Sequence, residues 1–250
     1  MNFDDPAATK IINDWVDKKT NGKIPTIVDK IDQDMRMYLI NAIYFKGSWS
    51  KPFKEERTKD LAFYSPSGTV QAPFMETEGA YNVLETADFQ AIELAYGDTT
   101  YSMLAFLPAK EISPKVLWDK LKDHGQWDEY QKGFTARQAR LTFPKFKFSY
   151  EKQLNDQLQS LGMDLPFGDF ADFSGINKDR GLTISEVMHK TFIEVNEEGT
   201  EAAAVTSVGF VTTSMPQYYT MNFDRPFLFF IRENSSGLIL FAGQVNDPLK

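Results

Sequence analysis

A chain that performs bond-making chemistry of its own needs a nucleophile with a base in reach, or a set of donors that can grip a metal. This sequence is short of both. It has no cysteine, only two histidines (His124 and His189), and no Gly-x-Ser-x-Gly elbow to present a serine. No spacing of His, Asp and Glu reads as a metal-ligand set, and no glycine loop reads as a phosphate cradle, so no metal or cofactor is implied. An enzyme is therefore the least supported class. The chemistry resides instead in a backbone segment, Glu197-Glu198-Gly199-Thr200-Glu201-Ala202-Ala203-Ala204-Val205-Thr206-Ser207, which leads into a run from Ala202 to Phe223 without a charged residue. Gly199 permits a bend that a Cβ would resist. Small residues follow at once, and Thr200, Ala202, Ala204, Thr206, Val208 and Phe210 would share one face of an extended chain, with the charge of Glu201 on the other. Such a segment can add itself to a sheet. Glu-Ala-Ala-Ala could also begin a helix, but Val205, Thr206, Val208, Val211, Thr212 and Thr213, together with Gly209, oppose one longer than a turn or two.

The elements that must position this segment are legible in outline. At 250 residues, 42% hydrophobic and with no Pro/Ser/Gly-rich linker, residues 1–250 are expected to form a single domain with a substantial core. A net charge of −8 excludes the basic surface that nucleic acid requires. No apolar run approaches the length that spans a bilayer, and Met1 to Pro6 lacks the basic start and apolar core of a secretion signal.

Asp5-Pro6 before Ile11, Ile12, Trp15 and Val16, closed by Asn21-Gly22, predicts an amphipathic helix. Met35 to Phe45 reads as a strand buried on both faces. Further strands are expected at Thr69 to Phe74, Phe89 to Tyr96 and Tyr101 to Leu107, the last two joined as a hairpin by Tyr96-Gly97-Asp98. A helix is expected around Pro114 to Lys122, one long strand over Gln138 to Tyr150, and a helix over Gln153 to Leu161 stopped by Gly162. Leu182 to Val195 is extended, and Phe227 to Ile231 pairs with Leu238 to Phe241 across Glu233-Asn234-Ser235-Ser236-Gly237. Strands dominate with a few helices attached, an α+β pattern.

Four stretches in order resemble the serpin family of protease inhibitors: Asn41-Ala42-Ile43-Tyr44-Phe45-Lys46-Gly47-Ser48-Trp49, Phe143-Pro144-Lys145-Phe146, Glu194 to Ala203, and Asp224-Arg225-Pro226-Phe227-Leu228-Phe229. The resemblance implies three β-sheets with surrounding helices and an exposed reactive-centre loop at about residues 197–216. It also implies a mechanism in which a target protease cleaves the loop and is trapped as an acyl-enzyme when the loop inserts into the large sheet. The family's N-terminal block of helices has no counterpart in this sequence, which reads as an N-terminally truncated member, expected to be monomeric and exposed to polymerisation.

Counting from the hinge (Glu197, Gly199, Thr200, Glu201, Ala202, Ala203 and Ala204), the resemblance puts the reactive bond between Thr213 and Ser214, with Phe210, Thr212 and Met215 as other cut positions. A small β-branched Thr213 suits a shallow specificity pocket, so the expected partner is an elastase-like or subtilisin-like serine protease. Asn41 and His189 each sit in an apolar extended segment where a buried polar group needs a partner. The resemblance puts them together where the sheet opens, with Trp49 at its top, while His124 reads as a surface residue. Extracellular or cell-envelope localisation is what the family implies. A non-inhibitory carrier or chaperone would carry bulky, charged or Pro residues on the inserting face, which Thr200 to Thr206 lacks. Inhibition of cysteine proteases by the same loop is the remaining alternative.

Overall fold

The computed structural model describes residues 3, 5–32, 35–178, 181–200 and 218–250. In chain order these form α1 (Ala8–Lys19), β1 (Tyr38–Tyr44), β2 (Gly47–Ser48), β3 (Lys59–Ser65), β4 (Gly68–Glu85), β5 (Phe89–Tyr96) and β6 (Tyr101–Pro108). There follow α2 (Pro114–Leu121), α3 (His124–Gly133), β7 (Thr135–Pro144), β8 (Phe146–Gln153), α4 (Asn155–Ser160), β9 (Glu186–Val195), β10 (Gly199–Thr200), β11 (Tyr219–Asn222), β12 (Phe227–Glu233) and β13 (Ile239–Val245). The described strands make three sheets: β1-β9-β8, the pair β10-β2, and an eight-stranded sheet in the order β11-β7-β4-β5-β6-β12-β13 with β3 also on β4. No described helix is long and apolar enough to cross a membrane. Two compact units result, Met1–Phe45 with Phe148–Ile193 and Lys46–Lys147 with Glu194–Lys250.

In the first unit β1 and β9 run parallel, with Tyr38 opposite Glu186 and Tyr44 opposite Phe192. Tyr38, Ile40, Ala42 and Tyr44 of β1, with Met188 and Phe192 of β9, face a core built from Val16 of α1 and from Ile24, Ile27 and Val28. Asn13 folds that segment back: its carboxamide oxygen accepts from the amides of Ile27 and Val28 at 2.9 and 3.0 Å, and its amide donates to the Val28 carbonyl at 2.7 Å. Since helix and segment cover only one face, β1 is not buried on both, as its apolar run implied. Leu39 is 38% exposed and Asn41 is exposed as well.

The second unit is organised by β4, whose 18 residues pair in turn with β3, β7 and β5. The sequence marked only the first third of it. α2 and α3 cover the sheet: Leu117 and Leu121 join Phe89, Leu104, Phe106, Leu228 and Phe230 in a buried cluster, with Trp127 edge-on to Phe230 at 5.1 Å. Near the other end Phe143, Phe223 and Phe227 pack at centroid separations of 4.9 to 5.3 Å. The polar α3 was not anticipated; the Asp123 carboxylate caps it by accepting from the Gln126 amide at 2.9 Å, and His124 is exposed at its start.

The single strand expected over Gln138 to Tyr150 is two strands in different sheets. The Lys145 amide still follows the β7–β4 register, one step past Phe74–Pro144, by donating to the Pro73 carbonyl at 2.8 Å, and from Phe146 the chain pairs instead with β9. A charged pair is enclosed in the second unit by several donors. Arg232 donates to Glu93 at 2.9 Å and also to Gln131 and Asn234, while Ser102 and Asn82 donate to the same carboxylate at 3.0 and 2.8 Å. Burial pushes the Glu93 carboxyl up, but these donors outweigh it and hold the group below its ordinary value.

Gly243 lies against the ring of Phe229, and a Cβ there would sit 2.5 Å from two of its carbons. Phe229 is buried, so Gly243→Ala should cost about 1–3 kcal/mol by overpacking. The expected readout is a lower urea midpoint at unchanged slope, and an unaltered midpoint would contradict this packing.

Candidate functional site

The segment singled out by its sequence begins as a tight turn. The Asn196 side-chain oxygen accepts from the amides of Glu198 and Gly199 at 3.1 and 3.2 Å, and the Asn196 amide donates to the Gly199 carbonyl at 2.9 Å. An Asn side chain that mimics a backbone turn in this way fixes the direction in which the chain leaves. It leaves as β10, antiparallel to β2, with Gly199 opposite Ser48 and Thr200 opposite Gly47. Gly199 has φ of +143°, and a Cβ would lie 2.2 Å from the Gly47 oxygen and 2.7 Å from the Ser48 Cα. Glycine is thus required here for close approach as much as for bending.

Three successive carbonyls are then gripped by one short segment. The Trp49 indole N–H donates to the Asn196 carbonyl, the Trp49 amide to the Glu198 carbonyl, and the Phe53 amide to the Glu197 carbonyl, all at 2.9 Å. Trp49 is only 2% exposed; it stacks on Tyr96 at 4.4 Å and meets Phe53 edge-on at 6.3 Å. The aromatic packing fixes the ring, and the fixed ring aims its donor.

Two side chains complete the hold. Glu197, 6% exposed, accepts from Thr58 at 2.6 Å and pairs with Lys145 at 2.8 Å. Burial pushes its carboxyl up, yet Lys145 and Thr58 prevail and keep it below the ordinary carboxylate range. Thr200 is fully buried, its hydroxyl 2.9 Å from the Tyr96 hydroxyl. Burial raises the Tyr96 phenol far above its ordinary value, more than Thr200 lowers it, so this pair is a neutral hydrogen bond. In this arrangement the named polar side chains are engaged with one another or with the hinge backbone. What it offers is an anchored strand start, just before the sequence run from Ala202 to Phe223 that has no charged residue.

Of the residues the sequence nominated, Glu197, Gly199, Thr200 and Trp49 gather at this anchor. Asn41 and His189 are opposite one another on β1 and β9. The amide expected to be buried at Asn41 is exposed, because its face of β1 is the one that α1 does not cover. His189 is half-buried beside Tyr150 at 6.4 Å, with Nδ1 enclosed and unpartnered among the described residues. Burial lowers its imidazole below the ordinary value, against a smaller opposing contribution from the Asn41 backbone. Glu201, Ala202, Ala203, Ala204, Thr213 and Ser214 lie outside the described residues. Reasoning from sequence missed Phe53, Thr58, Tyr96, Lys145 and Asn196; only Asn196, polar at the end of an apolar strand and just before Glu-Glu-Gly, carried a local turn signal.

Gly199→Ala should detach β10 from β2, seen as faster hydrogen exchange at the Trp49 indole and Phe53 amide, while slow exchange at both would contradict the contact. Glu197→Gln should cost about 1–3 kcal/mol by breaking a buried charged pair. Because the native carboxyl titrates below its ordinary value near 4.5, its stabilisation is complete above that pH and is lost as pH falls through the lowered value. The variant's stability should accordingly show a flatter acid limb, and an identical pH profile would refute the assignment.

The sequence matches the family profile described as serpin (serine protease inhibitor) over residues 1–248. Iripin-5 of Ixodes ricinus is 40% identical over 246 residues, covering 96% of this chain and 62% of that protein. Leukocyte elastase inhibitor of Xenopus laevis is 36% identical over 256 residues, covering 96% and 66%. The crystal structure of tengpin, a thermophilic serpin, in its native state superposes with a TM-score of 0.86 at 36% identity, over 97% of this chain and 64% of that one. The chain thus spans under two thirds of the length of each of these relatives. With the family profile matched along nearly its whole extent, the chain belongs to the serpin family.

Proposed function

We propose that this chain acts in the inhibition of a serine protease as a single-use trap, with the residues after Thr200 as bait. The reading is carried by β10: a strand already begun at Gly199–Thr200, anchored at its start, leads into a small, uncharged, alternating face. The protease serine oxygen would attack the Thr213 carbonyl, an ester would form as the Thr213–Ser214 peptide bond breaks, and the protease histidine would pass its proton to the departing Ser214 amine. Thr213 is small and β-branched, which favours an elastase-like or subtilisin-like target, and the name of the Xenopus relative points the same way.

Before water can release the ester, the severed segment would enter between β1 and β9, displacing their seven-residue parallel ladder and forming a ladder on each side. Two ladders in place of one seven-residue ladder give a net gain of roughly seven hydrogen bonds at roughly 1 kcal/mol each, about 7 kcal/mol to act against a tethered protease.

Mixing with pancreatic elastase should give a complex that survives boiling in detergent and a released peptide beginning at Ser214. A different new N-terminus would move the reactive bond, and absence of any such complex would overturn the trap. Thr200→Arg does not isolate insertion, since Thr200 is buried against Tyr96 before any cleavage. Ala204→Arg, on the same alternating face, should convert the chain into a substrate that is cut without being trapped; trapping at unchanged stoichiometry would count against insertion.

A further inference from the structure

A cavity of about 360 Å³ lies directly behind the segment that grips the hinge, between Trp49 and Phe53 on one side and β4 and β5 on the other. Its size is within the roughly 300–1,000 Å³ of small-molecule sites. The apolar wall is made by Trp49, Phe53, Tyr81 and Leu94, all buried, so an incoming ring would meet aromatic faces and edges. The polar groups around it are unevenly committed. Glu93 is held by Arg232, Ser102 and Asn82 and has no lone charge to present. Lys51 differs: it is exposed, lies 5.0 Å over the Tyr81 ring, and donates once, to the Ala80 carbonyl at 2.6 Å. Among the described residues no carboxylate pairs with it, and an ammonium has three protons to offer. The wall also contains Thr99, a β-branched residue at φ +74°, the kind of backbone strain that persists where the surroundings enforce it, often at ligand clamps.

We infer that this cavity binds a compact aromatic anion, with the ring between Trp49, Phe53 and Tyr81 and the carboxylate or sulfonate on Lys51, and that its occupancy tightens the grip on the hinge. Trp49 and Phe53 are at once the wall and the donors to the carbonyls of Asn196, Glu197 and Glu198. A ring wedged behind them restricts their movement away from those carbonyls. The consequence for trapping rests on the inhibitory reading above; binding and tightening do not.

The test uses 2-naphthoate and its neutral analogue 2-naphthalenemethanol, titrated by calorimetry into the intact chain. Saturable one-to-one binding of 2-naphthoate is expected, weakened about two- to fivefold by Lys51→Met. The neutral analogue should be indifferent to that change. Ala136→Trp, at the exposed mouth, should abolish binding of both. Bound 2-naphthoate should slow hydrogen exchange at the Trp49 indole and the Phe53 amide. No saturable binding, or binding that neither substitution alters, overturns the site. Binding with unchanged exchange at both donors overturns the tightening. Neither result depends on whether a protease is trapped, so the two readings fail separately.

Discussion

The fold around the hinge depends on three backbone carbonyls, those of Asn196, Glu197 and Glu198, being satisfied by three N–H donors from Trp49 and Phe53. Buried carbonyls without partners would cost about 1–3 kcal/mol each, so this set is an obligation on the chain rather than an ornament. Everything nearby serves the donors. Tyr96 stacks on the indole and holds it in one orientation, Gly199 allows β10 to lie against Gly47 and Ser48, and the Asn196 side chain sets the turn. Removing the Cβ-free position or the aromatic support disturbs the same three bonds by different routes.

The hold is strong in kind but confined in extent. β10 has only two residues on β2, and the side-chain anchors are one carboxylate and one hydroxyl. A short, well-satisfied start followed by a long uncharged run is what a segment needs if it is to remain docked in one state and extend in another. Under the insertion proposed above, both states would use the same backbone polarity, and the energetic difference between them would reside in how many ladder bonds the remainder can form.

How far the sequence reached follows from the range of each interaction. The hairpin at Tyr96-Gly97-Asp98 and the helix after Ser113-Pro114 were legible because their determinants are adjacent residues: Ser113 caps by accepting from the Val116 amide three residues on. The place of Thr200 on the uncharged face of an extended segment was legible from alternation alone. Its partner was not, since Tyr96 is 104 residues away, and Thr58 is 139 residues from Glu197. Nothing local distinguishes Glu197, which is buried, from Glu198 beside it, and it is the arrival of Thr58 and of Lys145, just past β7, that makes the difference. The change of sheet after Pro144 was not legible, because the strand that β8 pairs with, β9, is distant in sequence. α3 escaped notice for the opposite reason: its polar surface hides the few rings that pack.

The Thr200–Tyr96 bond also sets a phase. In a pleated strand the side chains alternate in twos, so under the insertion proposed above Ala202 and Ala204 would share the side of that hydroxyl. Adding or deleting a single residue just after Thr200 would exchange the alanine face for the one that carries Glu201, whereas adding two would leave the sidedness intact. Under that insertion the length of this stretch would be constrained by parity: changes by an even number of residues would keep the alanine face, and odd ones would not.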